Sequence, residues 1–198
     1  MNRPQPAQIR SKERVDTIFE ATRVLLREGG FERCTVAGIA ARANISPASL
    51  YRYFPDATAI IRALAEESLD QVHQGFALLL QDITSRETLE PVMKLALDAY
   101  IEHFTSDRAM RELWFGTLAD RELIALNVAD SRRNGALIAS KLAPFVNVDV
   151  ATLESRWFLL SHMIGAAIGL MLEVPAEEAR ILRTQLDQLL QSVSSDIR

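Results

Sequence analysis

The chain of 198 residues is 48% hydrophobic, which is enough apolar material for one domain or two small ones. Its single cysteine excludes an intramolecular disulfide, and with it the small secreted proteins that depend on disulfides. The net charge of −4 is divided unevenly: residues 1–56 hold nine Lys and Arg against six Asp and Glu, a charge of +3, and residues 57–198 hold thirteen against twenty, a charge of −7. This asymmetry indicates that the basic N-terminal part binds a polyanion and that the acidic remainder does not.

The N-terminal residues predict an arm followed by a helix. Residues 1–10 are polar, include Pro4 and Pro6 and contain no apolar run, so we predict an exposed arm and no signal peptide. A first helix is predicted over residues 11–28, because apolar side chains recur there at intervals of three and four. Gly29 and Gly30 end this helix. Its apolar stripe consists of Val15, Ile18, Phe19, Leu25 and Leu26.

Residues 35–54 predict two short helices joined by a tight turn. Thr35 is placed to cap the first helix, and Asn44 tolerates the left-handed conformation that ends one. Ser46 is placed to cap the second helix, with Pro47 at the first helical position, where its missing N–H costs nothing. This arrangement is typical of a helix-turn-helix, and the alternative is an ordinary helical hairpin.

The rest of the chain predicts helices only, so we expect an all-α fold of about nine helices. The longest apolar run, residues 157–172, is sixteen residues long and falls short of the roughly 20 that span a bilayer, so we expect a cytoplasmic protein with no membrane partner. A long helix is predicted from residue 57 to about 82, with Asp56 as its cap. The remaining predicted helices cover residues 87–104, 107–115, 121–142, 150–172 and 175–194.

Several short motifs over residues 15–64, about a quarter of the chain, resemble the DNA-binding half of the TetR family of bacterial regulators. The resemblance implies a three-helix DNA-binding head in residues 1–56 and a ligand-binding and dimerisation body in residues 57–198. The motifs that carry it are Glu28-Gly29-Gly30-Phe31, Thr35-Val36, Ile39-Ala40, Ala43-Asn44-Ile45-Ser46 and Leu50-Tyr51-Arg52-Tyr53-Phe54.

The resemblance also implies which side chains contact an operator in double-stranded DNA. Thr35 suits a phosphate, and Arg52 suits a guanine edge or a phosphate. The alternatives are that Tyr51 packs in the core and that Arg52 is only solvated. Ala57 stands where the family commonly has a Lys, which removes one phosphate contact. The implied DNA contacts are Thr35, Ser46, Pro47, Ser49, Tyr51, Arg52 and Tyr53.

The last two predicted helices have the pattern of a homodimer interface. Apolar residues from Leu153 to Met171 are spaced 4-3-4-3-4, as in a packed helical seam, and the neighbouring face is apolar as well. Two copies of this hairpin would form a two-fold four-helix interface, as the family does. The alternative is a helix buried within one chain. The predicted interface residues are Leu153, Leu160, Ile164, Gly165, Ile168, Leu182, Leu186 and Leu189.

The middle helices are rich in aromatic residues and methionine, in the region where the family encloses an inducer cavity. Such a lining suits a mostly apolar or aromatic small molecule held by few polar groups. The alternative is ordinary core packing. The predicted ligand contacts are Met93, Leu97, Tyr100, His103, Phe104, Met110, Arg111, Trp114, Trp157 and His162.

These observations predict a ligand-responsive DNA-binding regulator, most simply a repressor released from its operator by its inducer. No cofactor or metal is expected, because His73, His103 and His162 have no ligand-like spacing with one another or with Cys34. The first alternative, a helical enzyme with an apolar pocket, would need an acid–base or metal constellation that the sequence does not offer, so we expect no enzyme. The second is a helical dimer that binds only protein.

Overall fold

The computed structural model describes residues 6–117 and 121–195, and within these the chain forms nine α-helices and no β-strand. The predicted all-α fold is therefore confirmed. The helices are α1 Pro6–Gly29, α2 Val36–Arg42, α3 Pro47–Tyr51, α4 Ala57–Leu79, α5 Arg86–Ser106, α6 Arg108–Thr117, α7 Arg121–Leu142, α8 Val150–Glu173 and α9 Ala176–Ser195.

Most helix ends lie within two residues of the predicted ones. The main difference is at the N-terminus, where α1 begins at Pro6, so helix replaces the second half of the predicted arm. The first half of that arm lies outside the described residues. Proline is compatible with this start, because the first helical N–H has no partner within the helix in any case. Helix α3 is shorter than predicted and ends at Tyr51, with Arg52 as its C-cap.

The chain divides into two compact units. Within the described residues, the first unit runs to Glu67 and also includes Asp107–Gly116, and the second contains Ser68–Ser106 and the residues from Thr117 onward. The division falls inside α4, which therefore contributes to both units. Residue 56, the boundary predicted for the DNA-binding part, precedes this division by about three helical turns.

The first unit is held by an apolar core between its short helices and by ion pairs at its edge. A side chain at Gly116 would meet the ring of Phe31, since a Cβ built there lies 1.8 Å from the ring, so this glycine permits the packing of α6. Arg27 donates to both carboxylate oxygens of Asp107, at 3.0 and 2.9 Å. The fully buried large side chains of this core are Ile18, Leu26, Ile39, Leu50, Ile60 and Leu64.

The second unit packs α5, α7, α8 and α9 around the fully buried Trp157. Helices α7 and α8 approach each other closely at Gly135, where an added Cβ would lie 2.4 Å from the backbone nitrogen of Phe158. Asp149 caps α8, because its carboxylate accepts the N–H of Thr152 at 2.9 Å. By length and composition alone α8 could cross a membrane, a property that helices of soluble proteins also have; here it packs against α7 and α9.

Candidate functional site

The first candidate site is the pair of short helices α2 and α3. Thr35 Oγ1 accepts the N–H of Gly38 at 3.0 Å, and Ser46 Oγ accepts that of Ser49 at 3.1 Å, so both predicted caps are confirmed. Between them Asn44 has a φ of 53°, the left-handed conformation expected of it. Two capped helix starts and one left-handed residue thus fix the direction in which α3 leaves the turn.

Helix α3 has a buried side and an exposed side. Leu50 is fully buried, while the Tyr51 side chain is 55% exposed, so Tyr51 does not pack in the core. Arg52 is exposed and its Nη2 donates to Ser49 Oγ at 3.2 Å, which lays the guanidinium along the outer side of the helix. Of the residues expected to contact DNA, five are exposed and two are half-buried. The exposed residues are Thr35, Ser46, Pro47, Tyr51 and Arg52, and the half-buried ones are Ser49 and Tyr53.

The second candidate site is a cavity of about 400 Å³ inside the second unit. Helices α4, α5, α7, α8 and α9 all contribute to its wall, and most of the lining side chains are apolar. The apolar lining is Val72, Phe76, Leu79, Met93, Ala96, Leu97, Ala99, Ile138, Trp157, Ile164 and Leu190, with Gly75. The polar lining is Tyr100, His103, Asp130, Ser131, Asn134 and Ser161.

Asp130 is the centre of the polar part of the wall. Its residue is only 8% exposed, and its carboxylate accepts Arg133 Nη2 at 3.0 Å and Asn134 Nδ2 at 2.9 Å. Burial raises the pKa of Asp130, and the ion pair with Arg133 acts against that rise. The Oδ1 of Asn134 in turn lies 2.7 Å from Nδ1 of His73, so the amide is held on both sides.

Ser131 and His103, two other polar residues of the wall, also lie within hydrogen-bond distance of protein groups. Ser131 Oγ donates to the carbonyl of Asn127 at 2.8 Å, and His103 Nε2 lies 3.4 Å from Ser68 Oγ. Burial, with the charge of Asp130 in second place, raises the pKa of the Tyr100 hydroxyl, which is therefore neutral at physiological pH. Trp157 Nε1 is buried and has no hydrogen-bond partner among the described residues.

The cavity brings together half of the residues predicted to bind a ligand. Met93, Leu97, Tyr100, His103 and Trp157 line it. Phe104 packs edge-on against the rings of Tyr100 and His103, and His162 Nδ1 lies 3.1 Å from Ser131 Oγ, but neither lines the cavity. The remaining three belong to α6 in the first unit and line no part of it: Met110, Arg111 and Trp114.

Sequence reasoning missed the polar lining from α7 and α8. Asp130 and Asn134 lie four residues apart on one face of α7, where Asp130 is buried and Asn134 is half-buried. An acid and an amide four residues apart on a helix are a detectable signal, but the sequence does not show that this face lines a cavity.

The residues predicted to form a dimer interface are mostly inside the single chain. Helix α8, which carries most of them, packs against α7 and α9 of the same chain. The buried ones are Leu153, Leu160, Gly165, Ile168 and Leu186; Ile164 and Leu182 are half-buried, and Leu189 is exposed.

The same two helices also carry exposed apolar side chains, and Leu189 is the one residue that belongs to the predicted interface as well. Those of Leu159, Met163 and Leu170 on α8 and of Ile181 and Leu189 on α9 are between 47% and 60% exposed. Three of them recur along α8 at intervals of four and seven residues, which places them on one side of the helix. We call these five residues the exposed apolar stripe, and no other described part of the chain covers them.

The described residues contain no group of three or more His, Cys, Asp or Glu side chains that could hold a metal ion. Cys34 is buried, and its burial raises the pKa of the thiol to about 11, which keeps it protonated and unreactive at neutral pH.

Both parts of the chain match family models. Residues 18–64 match "Bacterial regulatory proteins, tetR family", and residues 87–185 match "Tetracyclin repressor-like, C-terminal domain". The HTH-type transcriptional repressor KstR of Rhodococcus jostii is 40% identical over 57 residues, which are 28% of this chain and 27% of that protein.

Solved structures share the whole architecture. A TetR-family transcriptional regulator from Streptomyces coelicolor superposes with a TM-score of 0.71 at 18% identity, covering 93% of this chain and 99% of that one. RolR in complex with resorcinol gives 0.64 at 20% identity, covering 96% of each chain. At these identities the likeness shows a common fold. The family model of residues 87–185 spans half of the chain and that of residues 18–64 adds the helix-turn-helix, so the chain belongs to the TetR family of transcriptional regulators.

Proposed function

We propose that this chain is a homodimeric repressor that leaves its operator when a small, mostly apolar or aromatic ligand fills the cavity of the second unit. The observation that carries the proposal is the exposed outer side of the capped helix α3, with Tyr51 and Arg52 free of the core. A short helix with a buried leucine on one side and short or planar polar groups on the other suits the major groove.

The proposed contacts divide into two kinds. Ser49 and Pro47 are small and sit at the start of α3, where a helix in the groove approaches base edges. Thr35, Tyr51 and Tyr53 carry hydroxyls that suit phosphate oxygens. Arg52 can leave Ser49 Oγ for a phosphate or a guanine, since a charged partner binds a guanidinium more strongly than a hydroxyl does.

The proposed dimer uses the exposed apolar stripe of α8 and α9. Side chains such as Leu159 and Leu170 are costly to leave in water, and burying them against a second copy would stabilise the pair. Because a two-fold axis pairs each stripe with itself, one patch per chain suffices. The dimer would then present two copies of α3 to two half-sites.

The proposed ligand response uses α4. Val72, Gly75, Phe76 and Leu79 line the cavity from this helix, and its N-terminal part belongs to the first unit. A ligand that binds more tightly when α4 is in one position would shift the population of molecules toward that position. Only a difference in ligand affinity between the two positions can change their equilibrium. The resorcinol bound to RolR supports an aromatic ligand by analogy.

The direct test is a fluorescence anisotropy titration of the full chain against a labelled duplex from the region flanking its own gene. We expect saturable binding that an excess of unrelated duplex does not displace. The affinity should fall as the salt concentration rises. Equal affinity for the unrelated duplex, or no binding at low salt, contradicts it.

A further inference from the structure

The cavity has an uneven distribution of charge. Among the described residues that line it, Asp130 is the one carboxylate, and none is a lysine or an arginine. Arg133 reaches Asp130 and Asp70, at 3.0 and 2.6 Å, but it is not part of the lining. A ligand in the cavity therefore meets a carboxylate that is already paired with Arg133, and it meets no lysine or arginine in the described lining.

This arrangement disfavours charged ligands of both signs. A carboxylate in the cavity would lose its water and lie near the like charge of Asp130; the described lining has no lysine or arginine to compensate, and its one basic side chain is the imidazole of His103. An ammonium group would be attracted by Asp130 but repelled by the guanidinium of Arg133, which occupies the Oδ1 atom.

The same wall offers hydrogen bonds to a neutral group. Tyr100 is a half-buried lining residue with a neutral hydroxyl, which can donate a hydrogen bond to a ligand or accept one from it. Each oxygen of Asp130 has one hydrogen bond from Arg133 or Asn134, and a carboxylate oxygen can accept two. A hydroxyl group both accepts and donates, so it can use either partner without bringing a charge.

We propose that the cavity binds an uncharged, largely apolar molecule carrying a hydroxyl group and rejects the carboxylate and the amine of the same skeleton. This inference rests on the proposed function of the cavity as the ligand site. The apolar part of the molecule would lie against the side chains of α4 and α5, such as Phe76, Met93 and Leu97.

The test compares three probes with one eight-carbon chain: octan-1-ol, octanoate and octylamine, each titrated calorimetrically into the full-length protein at neutral pH. We expect octan-1-ol to bind at least about tenfold more tightly than either ion, because each ion loses hydration that the wall does not replace. Octanoate or octylamine binding as tightly as the alcohol overturns the inference. Failure of the alcohol to bind overturns it as well.

Two variants separate charge from hydrogen bonding. Asp130→Asn removes the negative charge at nearly constant shape, and we expect the alcohol-to-octanoate affinity ratio to fall by about tenfold. Tyr100→Phe removes a hydroxyl from the lining, and we expect octan-1-ol affinity to fall about fivefold while the alcohol remains preferred over octanoate. The control is Asp187→Asn on α9, which removes a carboxylate paired with Arg183 outside the cavity lining and leaves the ratio unchanged.

Thermal unfolding of each variant shows whether it is folded, and Tyr100→Phe still tests the inference if Asp130→Asn does not fold. The DNA titration is independent of these probes. A chain that prefers octan-1-ol but binds no operator contradicts the proposed function alone. A chain that binds its operator but prefers octanoate contradicts this inference alone.

Discussion

The Oγ of Ser46 accepts a hydrogen bond from the backbone N–H of Ser49 at 3.1 Å, three residues further along the chain. This contact satisfies one of the N–H groups that a helix leaves unpaired at its start. Together with the left-handed Asn44 it sets where α3 begins and which of its sides faces outward.

The first prediction separates the capping role of Ser46 from its proposed place at the DNA. Ser46→Ala should lower the free energy of unfolding by about 1 kcal/mol, because the Ser49 N–H loses its acceptor. Ser46→Asp keeps a capping oxygen and should keep the stability, but its charge should weaken DNA binding strongly by repelling phosphate. Urea unfolding and DNA titration of both variants test this, and full DNA affinity in Ser46→Asp would place residue 46 away from the duplex.

The second prediction concerns Arg52. Arg52→Ala should weaken operator binding by about tenfold and, if the contact is to phosphate, reduce the slope of log affinity against log salt by about 1 per contact. Arg180→Ala is the matched control, since Arg180 is an exposed arginine on α9 that pairs with Glu177. A wild-type titration curve for Arg52→Ala would remove this residue from the proposed contacts.

The third prediction concerns the exposed apolar stripe. Leu159→Asp places a charge on a side chain that is 60% exposed in the single chain, so the fold should persist while the dimer dissociates. Leu95→Asp changes a similarly exposed leucine on α5 and should leave the dimer intact. Sedimentation velocity gives the molecular mass of each. A monomeric wild type, or dissociation by both variants, contradicts the assigned interface.

The fourth prediction concerns two glycines with opposite surroundings. Gly135→Ala should destabilise the protein by about 2 kcal/mol, because its Cβ would lie 2.4 Å from the nitrogen of Phe158 and the two helices must separate. Gly75→Ala has no heavy atom within 4 Å of its Cβ and should stabilise α4 by about 0.5–1 kcal/mol. Chemical unfolding measures both, and equal effects of the two would contradict the close approach of α7 and α8.

The fifth prediction concerns pH. The hydrogen bonds from Arg27 hold the pKa of Asp107 below its ordinary value of 3.8. A carboxyl whose pKa is depressed on folding stabilises the protein above its unfolded pKa and loses that contribution as the pH falls through the folded one. As the pH falls below the ordinary pKa of an aspartate, the free energy of unfolding of the wild type should therefore fall more steeply than that of Asp107→Asn. Arg27→Ala should flatten the curve similarly, and a wild-type slope in either variant would argue against the pair.

The turn could be predicted from the sequence because its chemistry is local. The caps Thr35 and Ser46 and the left-handed Asn44 act on neighbours within about four residues, and such signals survive in any fold. The motifs in residues 15–64 also indicated the family, and the family implied the architecture of the rest of the chain.

The cavity wall could not be predicted in the same way. The contact between Asn134 and His73 joins residues that are 61 positions apart, and nothing near either of them indicates the other. Helix α8 presents a related difficulty, because it is apolar on two sides. The spacing of the residues shows that both sides are apolar. It does not show that Leu153 and Leu160 face inward while Leu159 faces outward.

In the proposed complex two copies of α3 lie in the major groove of two half-sites, and hydroxyl-radical footprinting of the wild type and Arg52→Ala on operator DNA tests this most directly. We expect the wild type to protect two segments related by a two-fold axis, with centres separated by about 10 base pairs or a multiple of that. Arg52→Ala should lose protection in both segments equally. A single protected segment, or one that Arg52→Ala leaves unchanged, would contradict the account.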